Sequence, residues 1–324
     1  MFTWLVRRLF QAFFVVVAMT IIVFIGVHII GNPVDILISP EADQAERARI
    51  IAEMGLDQPL WQQYLYFVND ALHGNLGRSF VFNEPALKLI AGRMPATLEL
   101  AVTAVLFSIC FGVPLGLYAG LKPDGFLGRT IMAGSILGFS LPSFWVGLML
   151  IMVFAVQLGI LPSTGRGATA ELFGIQWSFL TWDGLRHMFM PALNLSLFNI
   201  SLVLRLTRAG VRETLPMDFI KFARAKGLSP TRVILVHVLK NIMIPVVTVV
   251  GLELGSTIAF AVVTESVFAW PGMGKLIIDS INVLDRPVIV AYLMMIVLLF
   301  ITINLVVDIL YTILDPRVRL ETKA

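Results

Sequence analysis

Side chains capable of covalent chemistry are few in this sequence, and they stand apart. The nearest approach to a phosphate-binding loop is Gly272-Met273-Gly274-Lys275. Leu276 occupies the place where Ser or Thr would hold magnesium, and Ala269 replaces the first glycine of that motif. The histidines, His28, His73, His187 and His237, form no helical pair of metal ligands. Cys110 is the single cysteine; its apolar surroundings fit a small core residue, and one thiol makes neither a disulfide framework nor a cysteine-rich metal site. Nucleophile-elbow and zinc-protease motifs do not occur. The expectation is a chain with no catalytic residues and no metal of its own, whose work draws energy from partners or from an ion gradient.

A different chemistry is suggested by polar residues inside apolar runs. Glu253 lies in the middle of one such run, and Glu265 and Asp308 lie near the ends of others. A charge at a bilayer centre costs a few kcal/mol or more, so it faces a cavity or a partner. Asn194, Asn199, Ser201, Ser256 and Thr257 also break apolar stretches. Together with Glu253 they are the candidates for a translocation pathway. For any one of them, a hydrogen bond between packed helices is the plainer expectation. For Glu265 and Asp308 it is bonding to neighbouring helix ends.

Composition decides the solvent. Hydrophobic residues make up 58% of the 324 positions and charged ones only 14%, with a mean hydropathy of +0.88. That charge is too sparse to cover a water-facing surface, so lipid must solvate much of the chain. The net charge of +3 says little about partners. Six stretches reach the roughly 20 apolar residues a crossing needs: 9–30, 97–120, 131–157, 187–208, 241–267 and 288–312. The first follows Arg7 and Arg8, is longer than a signal-peptide core and lacks a small-x-small cleavage site, so it reads as a retained helix. Pro142 should kink the third, whose tail should emerge as Gly159-Ile160-Leu161-Pro162. Gly112, Gly116 and Gly120, four apart around Pro114, predict a face for close helix packing.

Lys and Arg orient these spans. With the N-terminus inside, the inner segments hold Arg7, Arg8, Lys122, Arg129, Arg205, Arg208, Arg212, Lys221, Arg224, Lys226, Arg232, Lys240, Arg317, Arg319 and Lys323, most of the basic residues. Both termini are then cytoplasmic and segment 31–95 is extracytoplasmic. Within it, Pro59 followed by Leu60, Tyr64 and Val68 predicts an amphipathic helix against the bundle or the lipid interface.

The inner loop at 213–240 carries the most specific pattern. Asp218 can cap a short helix that Gly227 ends; Ser229 then caps a second helix with Pro230 in its first turn. The short helix sets Phe219, Phe222 and Ala223 on one side and Lys221, Arg224 and Lys226 elsewhere, with Ala225, Leu228 and Ser229 completing the turn. Basic residues alone would satisfy the positive-inside rule or bind anionic lipid. Paired caps and the small-residue run point instead to docking into a groove on another protein.

This segment resembles the coupling loop of binding-protein-dependent ABC transporter permeases of the dipeptide/oligopeptide/nickel subfamily, specifically the first of the two permease types. Also similar are Gly55-Leu56-Asp57-Gln58-Pro59-Leu60, Gly74-Asn75-Leu76-Gly77-Arg78-Ser79 and Pro95-Ala96-Thr97-Leu98-Glu99-Leu100. Further matches are Thr264-Glu265-Ser266 through Gly272-Met273-Gly274, Arg286-Pro287-Val288, and Asn304 to Asp308 with Asp315-Pro316-Arg317. The chain departs from the broad family at Lys221-Phe222-Ala223, where Glu-Ala-Ala is usual, at Lys240, where the proline falls, and at Gly31-Asn32 and Gly74-Asn75, where Gly-Asp is usual. The resemblance implies an all-α permease of the type I ABC importer fold, one transmembrane domain over 1–324, in a bacterial inner membrane. Its implied partners are a second homologous permease, two ATP-binding subunits that hold ATP and magnesium, an extracytoplasmic solute-binding protein and membrane lipid, with no nucleic acid. The implied cargo is a dipeptide or oligopeptide; nickel complexes or oligosaccharides on the same assembly are alternatives. From the residues alone, Glu253 as a proton site in an ion-gradient carrier is the competing mechanism, weakened by the lack of an inverted repeat, and nothing resembles a channel's selectivity filter.

Overall fold

The computed structural model describes residues 2–29, 49, 52 and 57–314. Gly31-Asn32, Gly55-Leu56 and the run Asp315-Pro316-Arg317 lie outside the described residues, as do Arg319 and Lys323. In chain order the helices are α1 (Phe2–Ile29), α2 (Leu60–Leu72), α3 (Ala86–Leu121), α4 (Phe126–Ser140) and α5 (Ser143–Gln157). A small hairpin of β1 (Ala170–Leu172) and β2 (Ile175–Trp177) follows, then α6 (Trp182–Thr214), α7 (Asp218–Ala225), α8 (Pro230–Val267), α9 (Met273–Asn282) and α10 (Arg286–Leu314).

Five of these, α1, α3, α6, α8 and α10, are long and apolar enough to cross a bilayer, and α4 with α5 makes a sixth if the pair counts as one broken span. That pair bends by 109°. Leu141, the residue before Pro142, leaves the helical region at φ −79° and ψ 137°, because the proline ring crowds its helical conformation. The bend therefore falls where the sequence placed it. Pro95 and Pro114 in α3, Pro191 in α6 and Pro245 in α8 stay inside continuous helices. Neighbouring helices and local adjustment absorb the missing amide donors. Short π-helical stretches at Ile151–Gln157 and Val233–Val238 sit inside α5 and α8.

The chain divides into two compact units, residues 1–92 with 277–301 and residues 93–276 with 302–324. In the first, α2 begins after Pro59 and packs on α1. Tyr64 brings its hydroxyl within 2.9 Å of Thr20 Oγ1, and the Phe24 ring lies 5.4 Å from Tyr64 and 6.0 Å from Phe67. None of α2 is fully buried, as an amphipathic helix at a boundary requires. A second fastening is polar. Ser79 Oγ donates to the buried carboxylate of Asp285, which also accepts from Phe80 N.

In the second unit the glycine face of α3 meets α6. A Cβ on Gly112 would fall 2.9 Å from Val203, one on Gly116 2.5 Å from the Leu204 carbonyl, and one on Gly120 2.6 Å from Val211. Only hydrogen fits there, so the two backbones close to near contact and gain dispersion that lipid cannot supply. Around this seam Val113, Val203, Val211, Val246 and Val250 form one core with Ile242. Ala96, Leu100, Met188, Ala192 and Trp270 form another.

Candidate functional site

The hairpin of α7 and the start of α8 is built from its inner face. Ile220 and Ala223 are buried and join the core of Val211, Val233 and Val238. Phe219 and Phe222 face outward and are exposed. The sequence grouped Ala223 with those two rings; helical spacing instead pairs it with Ile220, three residues earlier, on the packed side. Asp218 also differs from expectation. It makes no capping bond, Met217 precedes the helix, and the carboxylate binds Lys221 Nζ at 2.8 Å on the surface. Gly227 does end α7 with φ 75°, and Gly227 N donates to Arg224 O at 2.9 Å. Ser229 Oγ accepts from Arg232 N at 3.4 Å with Pro230 at the first position of α8. Lys226 folds its ammonium over Phe222, 4.6 Å from the ring centre. The outward face is therefore two aromatic rings surrounded by Lys221, Arg224 and Lys226. Among the described residues, its chain neighbours aside, nothing lies within 4 Å of a Cβ placed on Gly227.

The second feature is a cavity of about 510 Å³ among α4, α5, α6 and α8, within the range of small-molecule sites. Asn194 and Asn199 line it from α6, and Glu253, Ser256 and Thr257 from α8. Phe139, Phe198 and Phe260 supply much of its apolar wall, Phe139 and Phe198 stacked at 4.9 Å. Beside the cavity two polar ties join α6 to α8. Asn199 Nδ2 donates to Thr257 Oγ1 at 2.8 Å, and Asn194 Nδ2 donates to Thr264 Oγ1 at 3.0 Å. Asn199 and Thr257 thus make the interhelical bond that the sequence favoured for single polar residues. Ser201 is buried and returns its hydroxyl to Leu197 O within its own helix. Of the six pathway candidates, five line this one cavity and Ser201 does not.

A third arrangement is the helix-end bonding expected of Glu265, with partners the sequence did not name. Glu265, fully buried near the end of α8, accepts from Thr97 Oγ1 at 2.7 Å and from Lys275 N at 3.0 Å, while Met273 N donates to Thr97 Oγ1 at 2.8 Å. Gly272 and Gly274 pass so close that a Cβ on either would strike the carboxylate. The stretch that looked like a degraded phosphate loop cradles a carboxyl group instead, and that group is the chain's own side chain. The readable signal was a carboxylate seven residues ahead of a Gly-x-Gly turn at the start of a helix. Trp270 completes the clasp by donating Nε1–H to Ala96 O at 2.9 Å.

Glu99 is another buried acid. It accepts from Arg166 Nε at 2.8 Å and from Ser178 N at 3.0 Å, and Arg166 also donates to Gln176 O at 2.7 Å. These bonds fasten the β1–β2 hairpin to α3. Its tip, Phe173 with φ 56° followed by Gly174, stands in open solvent.

The model of the binding-protein-dependent transport system inner membrane component family matches residues 112–320, and the model of its N-terminal region matches residues 1–101. The chain belongs to this family. The permease is 36% identical to the dipeptide transport system permease protein DppB of Escherichia coli (strain K12), over 98% of this chain and 99% of that one. It is 39% identical to the di/tripeptide transport system permease protein DppB of Pseudomonas aeruginosa (strain UCBPP-PA14), with the same coverage. Against the glutathione transport system permease protein GsiC of Escherichia coli (strain K12) the identity is 36%, again over 98% and 99%. Among solved structures, a chain of the MetNI methionine ABC transporter in inward facing conformations superposes with a TM-score of 0.55 at 17% identity, covering 72% of this permease and 99% of that chain. The fold is that of the type I ABC importer permeases, and the permease is a multi-pass protein of the bacterial inner membrane.

Proposed function

We propose that this permease is one of two homologous membrane subunits of an ATP-driven peptide importer. It forms half of the translocation path and transmits the motion of two ATP-binding partners, which hold the ATP and magnesium, while an extracytoplasmic binding protein delivers cargo. The chain itself is non-catalytic. The peptide assignment rests on relatives named for dipeptide, di/tripeptide and glutathione transport. The observation that carries the mechanism is the α7–α8 hairpin. Its inner face is locked into the core by Ile220 and Ala223, and its outer face presents Phe219 and Phe222 among cations. An apolar pair on a rigid, capped turn fits a protein groove and transmits force, whereas attraction to lipid headgroups needs neither rings nor a fixed turn. Residues 218–229 are the coupling element, with both termini on the same, cytoplasmic, side. Asn194, Asn199, Ser201, Glu253, Ser256 and Thr257 belong to the pathway region.

Uptake of a labelled dipeptide into proteoliposomes holding the whole complex should require ATP and stop with vanadate. Proton-driven uptake without ATP would move the assignment to an ion-gradient carrier, for which the carboxylate of Glu253 beside the cavity is the specific support.

A further inference from the structure

Glu253 stands out in the cavity. Among the described residues its carboxylate makes no hydrogen bond or ion pair; only its backbone carbonyl is engaged, by Thr257 Oγ1 at 2.7 Å. Glu99, Glu265, Asp218 and Asp285 all have partners. Resting on the reading of this permease as a peptide importer subunit, we propose that Glu253 receives the N-terminal ammonium of the peptide cargo in this cavity.

The chemistry of the walls defines the ligand. An ammonium group needs a counter-charge and up to three acceptors. Glu253 supplies the charge and two oxygens, and Ser256, three residues on and therefore on the same face of α8, adds a hydroxyl. A divalent metal would demand more, six to eight oxygens for calcium or several nitrogen or sulfur donors for a transition metal. Among the described residues no three His, Cys, Asp or Glu side chains gather anywhere as such a set. At the other end of the cavity Asn194, 3% exposed, holds its Oδ1 without a partner among the described residues while its Nδ2 is spent on Thr264. That carbonyl is an unspent acceptor at the cavity wall, sealed from solvent in this conformation. Eleven residues of helix separate Glu253 from Thr264, about 16 Å at 1.5 Å per residue. An extended peptide spans at most about 3.5 Å per residue, so roughly four residues fit between the two polar ends. Phe139, Phe198 and Phe260 line the interval and accept side chains of any apolar shape. A charged amino end, a hydrogen-bonding backbone and unspecific side-chain walls describe a short peptide with a free amine.

The test uses the whole complex in proteoliposomes during ATP turnover, with alanyl-alanine and its N-acetyl derivative as probes. A membrane-permeant carbodiimide activates carboxylates and joins them to an amine held in contact. An amide between Glu253 and alanyl-alanine, found by peptide mass spectrometry and absent with the N-acetyl probe, is the expected result. Glu253→Gln should lower alanyl-alanine import about tenfold or more, the scale of one lost charge-assisted hydrogen bond, and Glu253→Asp should restore part of it. Import with no adduct at Glu253 overturns the proposal, as does undiminished import by Glu253→Gln. If the wild-type complex imports no peptide under ATP, the reading of its function fails instead.

Discussion

At the scale of single residues, two buried carboxylates behave as rivets, and their neighbours show how little room they leave. Gly272 has no side chain because Glu265 fills the space one would need. Gly272→Ala should therefore destabilise the permease by about 1–3 kcal/mol, the usual range for overpacking, read as a lower unfolding midpoint in detergent. Arg166 stabilises Glu99, whose side chain is 1% exposed. Arg166→Ala would strand that charge and should cost about 3–5 kcal/mol, as breaking a buried pair from one side does. Limited proteolysis should then cut within the β1–β2 hairpin before it cuts elsewhere. Faster cleavage at a distant loop, with the hairpin intact, would show that the pair does not hold it.

Elements differ in how plainly the sequence announced them. The crossings were legible because twenty apolar residues have few other uses, and Pro142 marked its bend because the residue before a proline leaves the helical region. The three-residue strands β1 and β2 carry too short a pattern to show alternation, and α9 was hidden behind its resemblance to a nucleotide motif. At Asp218 a residue type known for capping was present, yet its carboxylate pairs with Lys221 instead. Of the candidate site, the turn at Gly227 and the cap at Ser229 could be read, since each has a local cause. The inward turn of Ala223 could not, since it depends on what α7 packs against. Two predictions belong here. Gly116→Leu would drive a side chain into the Leu204 carbonyl and part α3 from α6, so the variant should fail to accumulate in membranes. Gly227→Ala meets no non-neighbouring atom among the described residues and bears only the left-handed backbone penalty of about 1 kcal/mol. Gly227→Trp should reach the membrane and abolish ATP-dependent import, because its bulk would project where the proposed function seats a partner. Normal import by that variant would remove the hairpin from the coupling role.

For the molecule as a whole, α6 sets the distance between two working ends. Its 33 residues lie between the β1–β2 hairpin and the α7 turn, a separation of about 50 Å at 1.5 Å per residue. With Cys110 replaced, a membrane-impermeant thiol reagent should label Phe173→Cys in intact cells and Lys226→Cys only in inside-out vesicles. Labelling of both from the same side would reverse or dismantle the assigned topology. The helix α8 has the longer reach. Its 38 residues run without a break from Pro230, past Glu253, to the Glu265 clasp. At 1.5 Å per residue that is a strut of roughly 57 Å, continuous through the looser π-helical turn at Val233–Val238 and through Pro245. On the proposed coupling role, a tug of a few ångströms at Ser229 would travel along this shaft and reach the cavity beside Glu253 as a shift of one wall, in the manner of a piston rod.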